Sequence, residues 1–261
     1  MSLLAAVIHL APERALPPWL GRAAQAWLLN TVREAAPELA DRLHGGHSRR
    51  PYTVSAPRGD PPWLRITSVS GDLTGLLLEN ILPRLDQLNL AGIEIGVTSV
   101  ETQGHVWAGH TDFESLAREA FDSSNPHPAP ALEFATPTAF HQHGLSVPLP
   151  LPLLVYGSLI QAWNHFSPLP LPVRLDDFLQ TSVGISRHRI ATRMVHFGET
   201  EQHVGFVGEA SYIFLPVEKT SYSPDDYRQR LHTIELLTRF AFYVGVGVRT
   251  TVGMGQVRPL S

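Results

Sequence analysis

The apolar positions along the chain change their period several times, and each change marks an element. Residues 3–10 form an almost unbroken apolar run of strand length, as expected of a strand buried on both faces. Leu20, Ala23, Ala24, Trp27, Leu28 and Thr31 then recur at helical spacing. They predict a helix over residues 18–36 with one buried face, started by Pro17-Pro18 and stopped by Pro37. Pro51-Tyr-Thr-Val-Ser and Trp63-Leu-Arg-Ile-Thr-Ser-Val return to strand composition around a Pro/Gly turn at residues 56–62. Residues 72–90 read as a helix despite Pro83, and residues 93–102 alternate as a strand. The order is β-α-β-β-α-β, that of a ferredoxin-like unit.

The same order follows a break. Asp122-Ser-Ser-Asn-Pro-His-Pro-Ala-Pro has linker composition. After it come a strand over residues 132–140, a helix over 151–166, and two long strands over 183–197 and 203–215, separated by Gly198-Glu-Thr-Glu. Pro148-Leu-Pro-Leu-Pro-Leu-Leu is read as the lead into the helix, with its apolar residues expected on the core. Ser223 is a good N-cap, Pro224 suits the first helical position, and Asp225 and Asp226 favour the positive end of the helix they open. Leu231, Ile234, Leu237 and Ala241 keep one face of that helix apolar. A glycine-rich segment and a final strand complete the pattern. The expected fold is α+β: tandem ferredoxin-like (βαββαβ) domains over residues 1–121 and 132–261, with the glycine-rich loop in the second.

Composition narrows the function classes. At 261 residues the chain suits one large domain or two small ones, and a net charge of −4 excludes a generally basic, histone-like binder while leaving room for a local basic face. With no cysteine there is no disulfide frame and no thiolate metal site, which is compatible with a cytoplasmic protein. No run of eighteen apolar residues is present, so neither a spanning helix nor a membrane partner is expected. The first ten residues lack the basic lead and cleavage site of a signal peptide. Lys219 is the only lysine, so the cations are arginines, which suit bidentate phosphate contacts; a GC-rich gene would give the same bias.

Three stretches carry candidate chemistry. Tyr243-Val-Gly-Val-Gly-Val-Arg-Thr-Thr-Val-Gly-Met-Gly-Gln-Val places Gly245 and Gly247, then Gly253 and Gly255, around Arg249-Thr250-Thr251. Such a loop can turn several N–H groups toward an anion, with Arg249 adding charge and the threonines hydroxyls. The competing reading is structural: glycines for tight turns and close packing. A P-loop is excluded by the missing Gly-Lys-Ser/Thr. In Ser186-Arg-His-Arg-Ile-Ala-Thr-Arg, Arg187, Arg189 and Arg193 share one strand face with His188 and Ile190 on the other, either to track phosphates or to protect an edge strand by charge. His141-Gln-His143 can put both imidazoles on one strand face, and His105, His110 and Asp112 cluster. No carboxylate stands at a known ligand spacing, so no metal or other cofactor is expected.

Four segments together resemble a family. The glycine segment is similar to the C-terminal signature of CRISPR-associated endoribonucleases that process precursor guide RNA, members of the RAMP superfamily. Leu43-His-Gly-Gly-His-Ser-Arg-Arg-Pro-Tyr-Thr-Val-Ser resembles the family's Leu-His followed by a Lys/Arg-Pro-Phe/Tyr-Thr-x-Ser strand. Phe134-Ala-Thr-Pro-Thr-Ala-Phe resembles its Phe-x-Ser-Pro-Thr-x-Phe, and Gly205-Phe-Val-Gly its Gly-Phe-x-Gly before the last helix. The resemblance implies tandem ferredoxin-like domains and metal-independent cleavage of CRISPR repeat RNA. It makes RNA the expected partner, with CRISPR effector-complex proteins and a second copy of the chain as further candidates. It also implies RNA contacts by Arg187, Arg189, Arg193, Gly245, Gly247, Arg249, Thr250, Gly253 and Gly255.

Metal-free RNA cleavage drives the 2′-hydroxyl onto the adjacent phosphorus and expels the 5′-oxygen. It wants a proton carrier near neutral pH, for which histidine is the natural side chain, and cations where charge develops. His44, expected in a glycine-flanked turn after the first helix beside Arg42, Arg49 and Arg50, takes the family's Leu-His position; His47 is the competitor. The family's tyrosine from the first helix and its lysine near the second strand are missing. Arg49 or Arg50 can stabilise a phosphate in the lysine's place but cannot donate a proton. Two other functions fit parts of the pattern: a non-catalytic RNA-binding subunit of an effector complex, and an unrelated anion- or nucleotide-binding enzyme.

Overall fold

The structure, a computed structural model, describes residues 1–45, 49–122, 126, 129–197 and 201–260. Parts of the expected linker (residues 123–125, 127 and 128) and of the expected turn at 198–200 lie outside these residues, as does His47. The chain forms two compact units. The first comprises Met1–Thr111 with the later segments His196–Gln202 and Arg249–Met254. The second comprises Asp112–Val195, His203–Val248 and Gly255–Ser261.

The first unit opens with β1 (Ser2–Ala11), followed by α1 (Gly21–Ala35) and α2 (Pro37–His44). Pro37 does end the first helix, but it also starts a second. Ala36, at φ −154, breaks the ladder, and Pro37 at the N-terminal position of α2 forfeits only an N–H that has no helical partner. β2 (Tyr52–Val54) and β3 (Trp63–Ser68) come next, then α3 (Gly71–Leu76). The long helix expected over residues 72–90 is not formed. A π turn (Leu77–Ile81) and a 3₁₀ turn (Leu82–Arg84) follow α3, because Pro83 removes a ladder donor. The chain then becomes β4 (Gln87–Leu90), with Leu88 and Leu90 buried and Gln87 and Asn89 exposed, a strand alternation hidden inside an apparent helix. β5 (Ile93–Glu101) and β6 (Gly109–Asp112) close the sheet.

Its strand order is β2-β3-β1-β5-β4, with β6 also on β1, and β1 runs antiparallel to both β3 and β5. With β5 as the fourth ferredoxin strand, this is the ferredoxin-like arrangement extended by the β4 edge. Leu4, Ala6, Ile8 and Leu10 of β1 share one core with Ala24, Trp27, Leu28 and Val32 of α1, which is what the helical and strand periods imply.

The second unit contains α4 (Phe113–Asp122), β7 (Ala131–Thr138), the short hairpin β8 (Phe140–Gln142) and β9 (Leu145–Val147), α5 (Pro152–Phe166) and α6 (Asp176–Thr181). The long strands β10 (Val183–His196) and β11 (Gln202–Phe214), α7 (Pro224–Val244) and β12 (Val257–Leu260) follow. The order β10-β11-β7-β12 is again ferredoxin-like, so the fold is tandem ferredoxin-like. Phe113, Trp163 and Phe240 from three helices meet edge-on or tilted, 5.1–5.7 Å apart, at the centre of this core. Ser223 caps α7 as expected, its hydroxyl accepting from the Asp226 N–H at 3.2 Å. The leucines leading into α5 depart from expectation: Leu149 and Leu151 before it and Leu153 in its first turn are 40–45% exposed instead of packed on the core.

Candidate functional site

His44 is the last residue of α2 and faces solvent, at a helix end and not in a free turn. A helix leaves its final carbonyls without partners. Here Arg50 supplies them: Nη2 donates to the His44 carbonyl and Nη1 to that of Gly45, each at 2.8 Å. The arginine expected to face a phosphate therefore holds the histidine's backbone, a fork-shaped cap that a lysine's single ammonium cannot reproduce. Arg42 is paired with Asp72 at 3.0 Å across an exposed surface. Arg49 keeps an exposed surface. Local desolvation lowers its guanidinium pKa without discharging it near neutral pH. Tyr52, the tyrosine nearest in sequence, is buried, accepts from Gln25 at 3.2 Å, and has its phenol pKa pushed up by that burial.

The glycine segment uses its N–H groups on the protein itself. Within the second unit, the Val248 N–H donates to the Ala139 carbonyl, Gly255 to Pro137 and Val246 to Gly255, all at 3.0 Å, and Gly245 closes α7 on Ala241 at 2.9 Å. Gly247 has φ +84, and a Cβ there would stand 2.3 Å from the Ala139 carbonyl oxygen, so only glycine fits. Within the first unit, the 3₁₀ turn Thr250–Val252 carries Val252 against the start of α1, and Gly253 (φ +101) lies against the backbone of Ala56 and the Trp19 ring. The N–H cradle expected for an anion is thus largely spent on protein carbonyls, because the close packing that required glycine also supplied acceptors. Arg249 is the exception in kind. It holds φ +58, unfavourable for a residue with a Cβ, and its guanidinium meets Glu201 at 2.5 Å and the Phe197 ring at 5.4 Å.

Arg187, Arg189 and Arg193 lie on β10, an edge strand of the second sheet, and all three are exposed, as is His188. The histidine groupings weighed as metal candidates are not assembled. His141 is on β8, whereas His143 sits in the turn at φ +51, so the two imidazoles do not share a strand face. His105 packs edge-on to His9 and Trp63; His110 bonds Ser2 at 2.6 Å; Asp112 accepts from Ser115 at the start of α4, the contact that lowers its carboxyl pKa. Among the described residues no group of three His, Asp or Glu side chains is placed to hold a metal ion.

Comparison with known proteins points to one family. Residues 132–257 match the family model of CRISPR-associated endoribonuclease Cas6. The Mycobacterium tuberculosis CRISPR-associated endoribonuclease Cas6 is 33% identical over 130 residues, 49% of this chain and 37% of that protein, so the match spans little more than a third of the curated relative. Among solved structures, a Cas6 product complex is 28% identical with a TM-score of 0.79, covering 100% of both chains. Thermus thermophilus Cas6 is 26% identical with a TM-score of 0.76, covering 100% of this chain and 99% of that one. The chain is similar to Cas6 endoribonucleases in sequence over residues 132–257 and in fold over its full length. The Cas6 family-model match contains the glycine segment and the arginine strand but not His44, which falls within the full-length structural similarity alone. A Cas6-related protein from Pyrococcus furiosus, 11% identical at a TM-score of 0.60, shares the fold.

Two side chains beside Arg249 carry no sequence signal. Arg22 opens α1 and pairs with Glu201, at a sequence separation of 179 residues that no motif spans. Its position on the polar face of a helix looks like that of any solvated arginine.

Proposed function

We propose that this chain, similar to Cas6 proteins, is a metal-independent endoribonuclease that cuts CRISPR repeat RNA. The 2′-hydroxyl attacks the adjacent phosphorus, the phosphorus–5′-oxygen bond breaks, and the products carry a 2′,3′-cyclic phosphate and a 5′-hydroxyl. His44 moves the proton, either taking it from the 2′-hydroxyl or giving it to the departing 5′-oxygen, a role suited to a side chain that ordinarily titrates near neutrality. The observation that carries this reading is the presentation of His44: exposed at a helix terminus whose last carbonyls Arg50 holds. Exposed arginines on β10 and Arg249 in the glycine segment supply backbone contacts. The tandem domains are taken as 1–121 and 132–261, although the second compact unit already begins at Asp112, and the transcript is met in the cytoplasm, with effector-complex proteins as downstream partners.

A specific observation supports a second reading, a non-catalytic RNA-binding subunit. The nearest tyrosine, Tyr52, is buried, and the only lysine, Lys219, lies in a 3₁₀ turn of the second unit. Incubation of the protein with repeat RNA from the CRISPR array beside its gene, in excess chelator, separates the two. The nuclease yields fragments with cyclic phosphate ends; intact RNA that remains bound identifies the binding subunit. Cleavage that stops on chelation contradicts metal independence.

A further inference from the structure

Arg22 from the start of α1, Glu201 just before β11 and Arg249 from the glycine segment meet within the first unit. Each guanidinium takes a different oxygen of one carboxylate. Arg249 Nη2 lies 2.5 Å from Glu201 Oε1, and Arg22 Nη2 bonds Oε2. Both guanidiniums also stand over the Phe197 ring, at 5.3 and 5.4 Å, and Arg22 Nη1 donates to the Phe197 carbonyl at 3.1 Å. Arg249 keeps a left-handed backbone to reach this position, which is disfavoured for any residue with a Cβ.

Two guanidiniums on the two oxygens of one anion is the donor arrangement that also takes the two non-bridging oxygens of a phosphodiester. The side chains of Arg22, Glu201 and Arg249 are 52%, 32% and 33% exposed, so the carboxylate can leave without opening a core, and ion pairs of this exposure are weak. We propose that Glu201 is an internal stand-in for an RNA phosphate: it bridges Arg22 and Arg249 in the free protein, and a backbone phosphate replaces it in the complex. This rests on the RNA-binding reading above and adds Arg22 as a contact and Glu201 as a competitor. In a chain whose net charge is −4, the carboxylate keeps the clamp from collecting phosphates that are not anchored elsewhere, a repulsive element that sharpens selection.

The alternative is a staple that only pins the glycine segment to α1. Equilibrium binding across a salt series distinguishes them, using two probes: repeat RNA and a single-stranded RNA of equal length and unrelated sequence. Glu201→Gln is expected to bind both about fivefold tighter, since the displaced ion pairs are exposed and each worth little. Arg22→Ala and Arg249→Ala are each expected to bind more weakly and to lower the salt slope by about 0.7. Glu201→Gln that binds both RNAs no tighter than the unaltered protein overturns the stand-in, as does a drop in its melting temperature without a gain in affinity. Unchanged slopes in both arginine variants overturn the clamp independently of how Glu201→Gln folds. Cleavage by the unaltered protein is scored separately: RNA that binds with these slopes but stays uncut contradicts the nuclease and leaves the clamp standing.

Discussion

The glycine segment is anchored where Gly21, the first residue of α1, touches Val252. An alanine Cβ at position 21 would lie 1.9 Å from the Val252 carbonyl oxygen and 2.7 Å from its carbon. Ordinary contact begins near 3.4 Å, so the helix start and the turn must separate by about 1.5 Å, and both sides of the clash are backbone. Overpacking of this kind costs about 1–3 kcal/mol. The better helix propensity of alanine offsets less than about 1 kcal/mol, and little of it in a first turn. At roughly 2–4 °C per kcal/mol for a chain of this size, Gly21→Ala should melt about 3–8 °C below the unaltered protein by calorimetry. Gly157, inside α5, is the control: a Cβ there meets nothing within 4 Å. Gly157→Ala should therefore stabilise by about 0.5–1 kcal/mol and raise the melting point. The same chemical change in two helices is expected to have opposite signs. If Gly21→Ala melts at or above the unaltered protein, Val252 does not rest on α1 and the packing described for the glycine segment is wrong.

Arg50→Ala should fray the end of α2, seen as faster amide exchange at residues 42–45, and should slow single-turnover cleavage at saturating RNA; unchanged exchange would remove Arg50 from the role of cap. The triple variant Arg187→Ala, Arg189→Ala, Arg193→Ala should lower the salt slope of RNA binding by about 2, taking roughly 0.7 for each single-stranded contact, and an unaltered slope would return β10 to a solvated edge. Burial raises the phenol pKa of Tyr52, Tyr156 and Tyr212 above the ordinary value of 10.0. The unfolded chain then releases protons that the folded one keeps, so this contribution is complete below about pH 10 and is lost as pH climbs through the folded-state values. Melting temperature should fall steeply above pH 10, with phenolate absorbance appearing at the transition; early absorbance before unfolding would contradict the burial.

Much of the fold was legible because period and punctuation agreed. The alternation of β7, with Leu132, Phe134, Thr136 and Thr138 buried in turn, and the Ser223-Pro224 start of α7 are local facts that tertiary contacts reinforce. The stretch at residues 72–90 misled because its leucines fit a helix and a strand alike until Pro83 and the Ala91-Gly92 turn resolve them. Pro37 misled because a proline that ends one helix can begin another. At the candidate site, the exposure of His44 was legible from its polar neighbours, but the duty of Arg50 was not, since a cap and a phosphate contact demand the same residue. The glycines were legible as special backbone positions, though sequence cannot say whether a ligand or the protein's own carbonyls come close. Glu201 and Arg22 were invisible, because an ion pair joining a helix start to a distant hairpin leaves no spacing to read.

We propose that His44 carries the proton in cutting repeat RNA. Single-turnover cleavage of that RNA in excess chelator, with the unaltered protein, His44→Ala and His47→Ala side by side, tests it most directly. His44→Ala should cut at least ~100-fold more slowly, the scale of one acid–base group, while binding the RNA with nearly the same affinity. His44→Ala that cuts at the unaltered rate, or loss of rate in His47→Ala instead, contradicts the assignment.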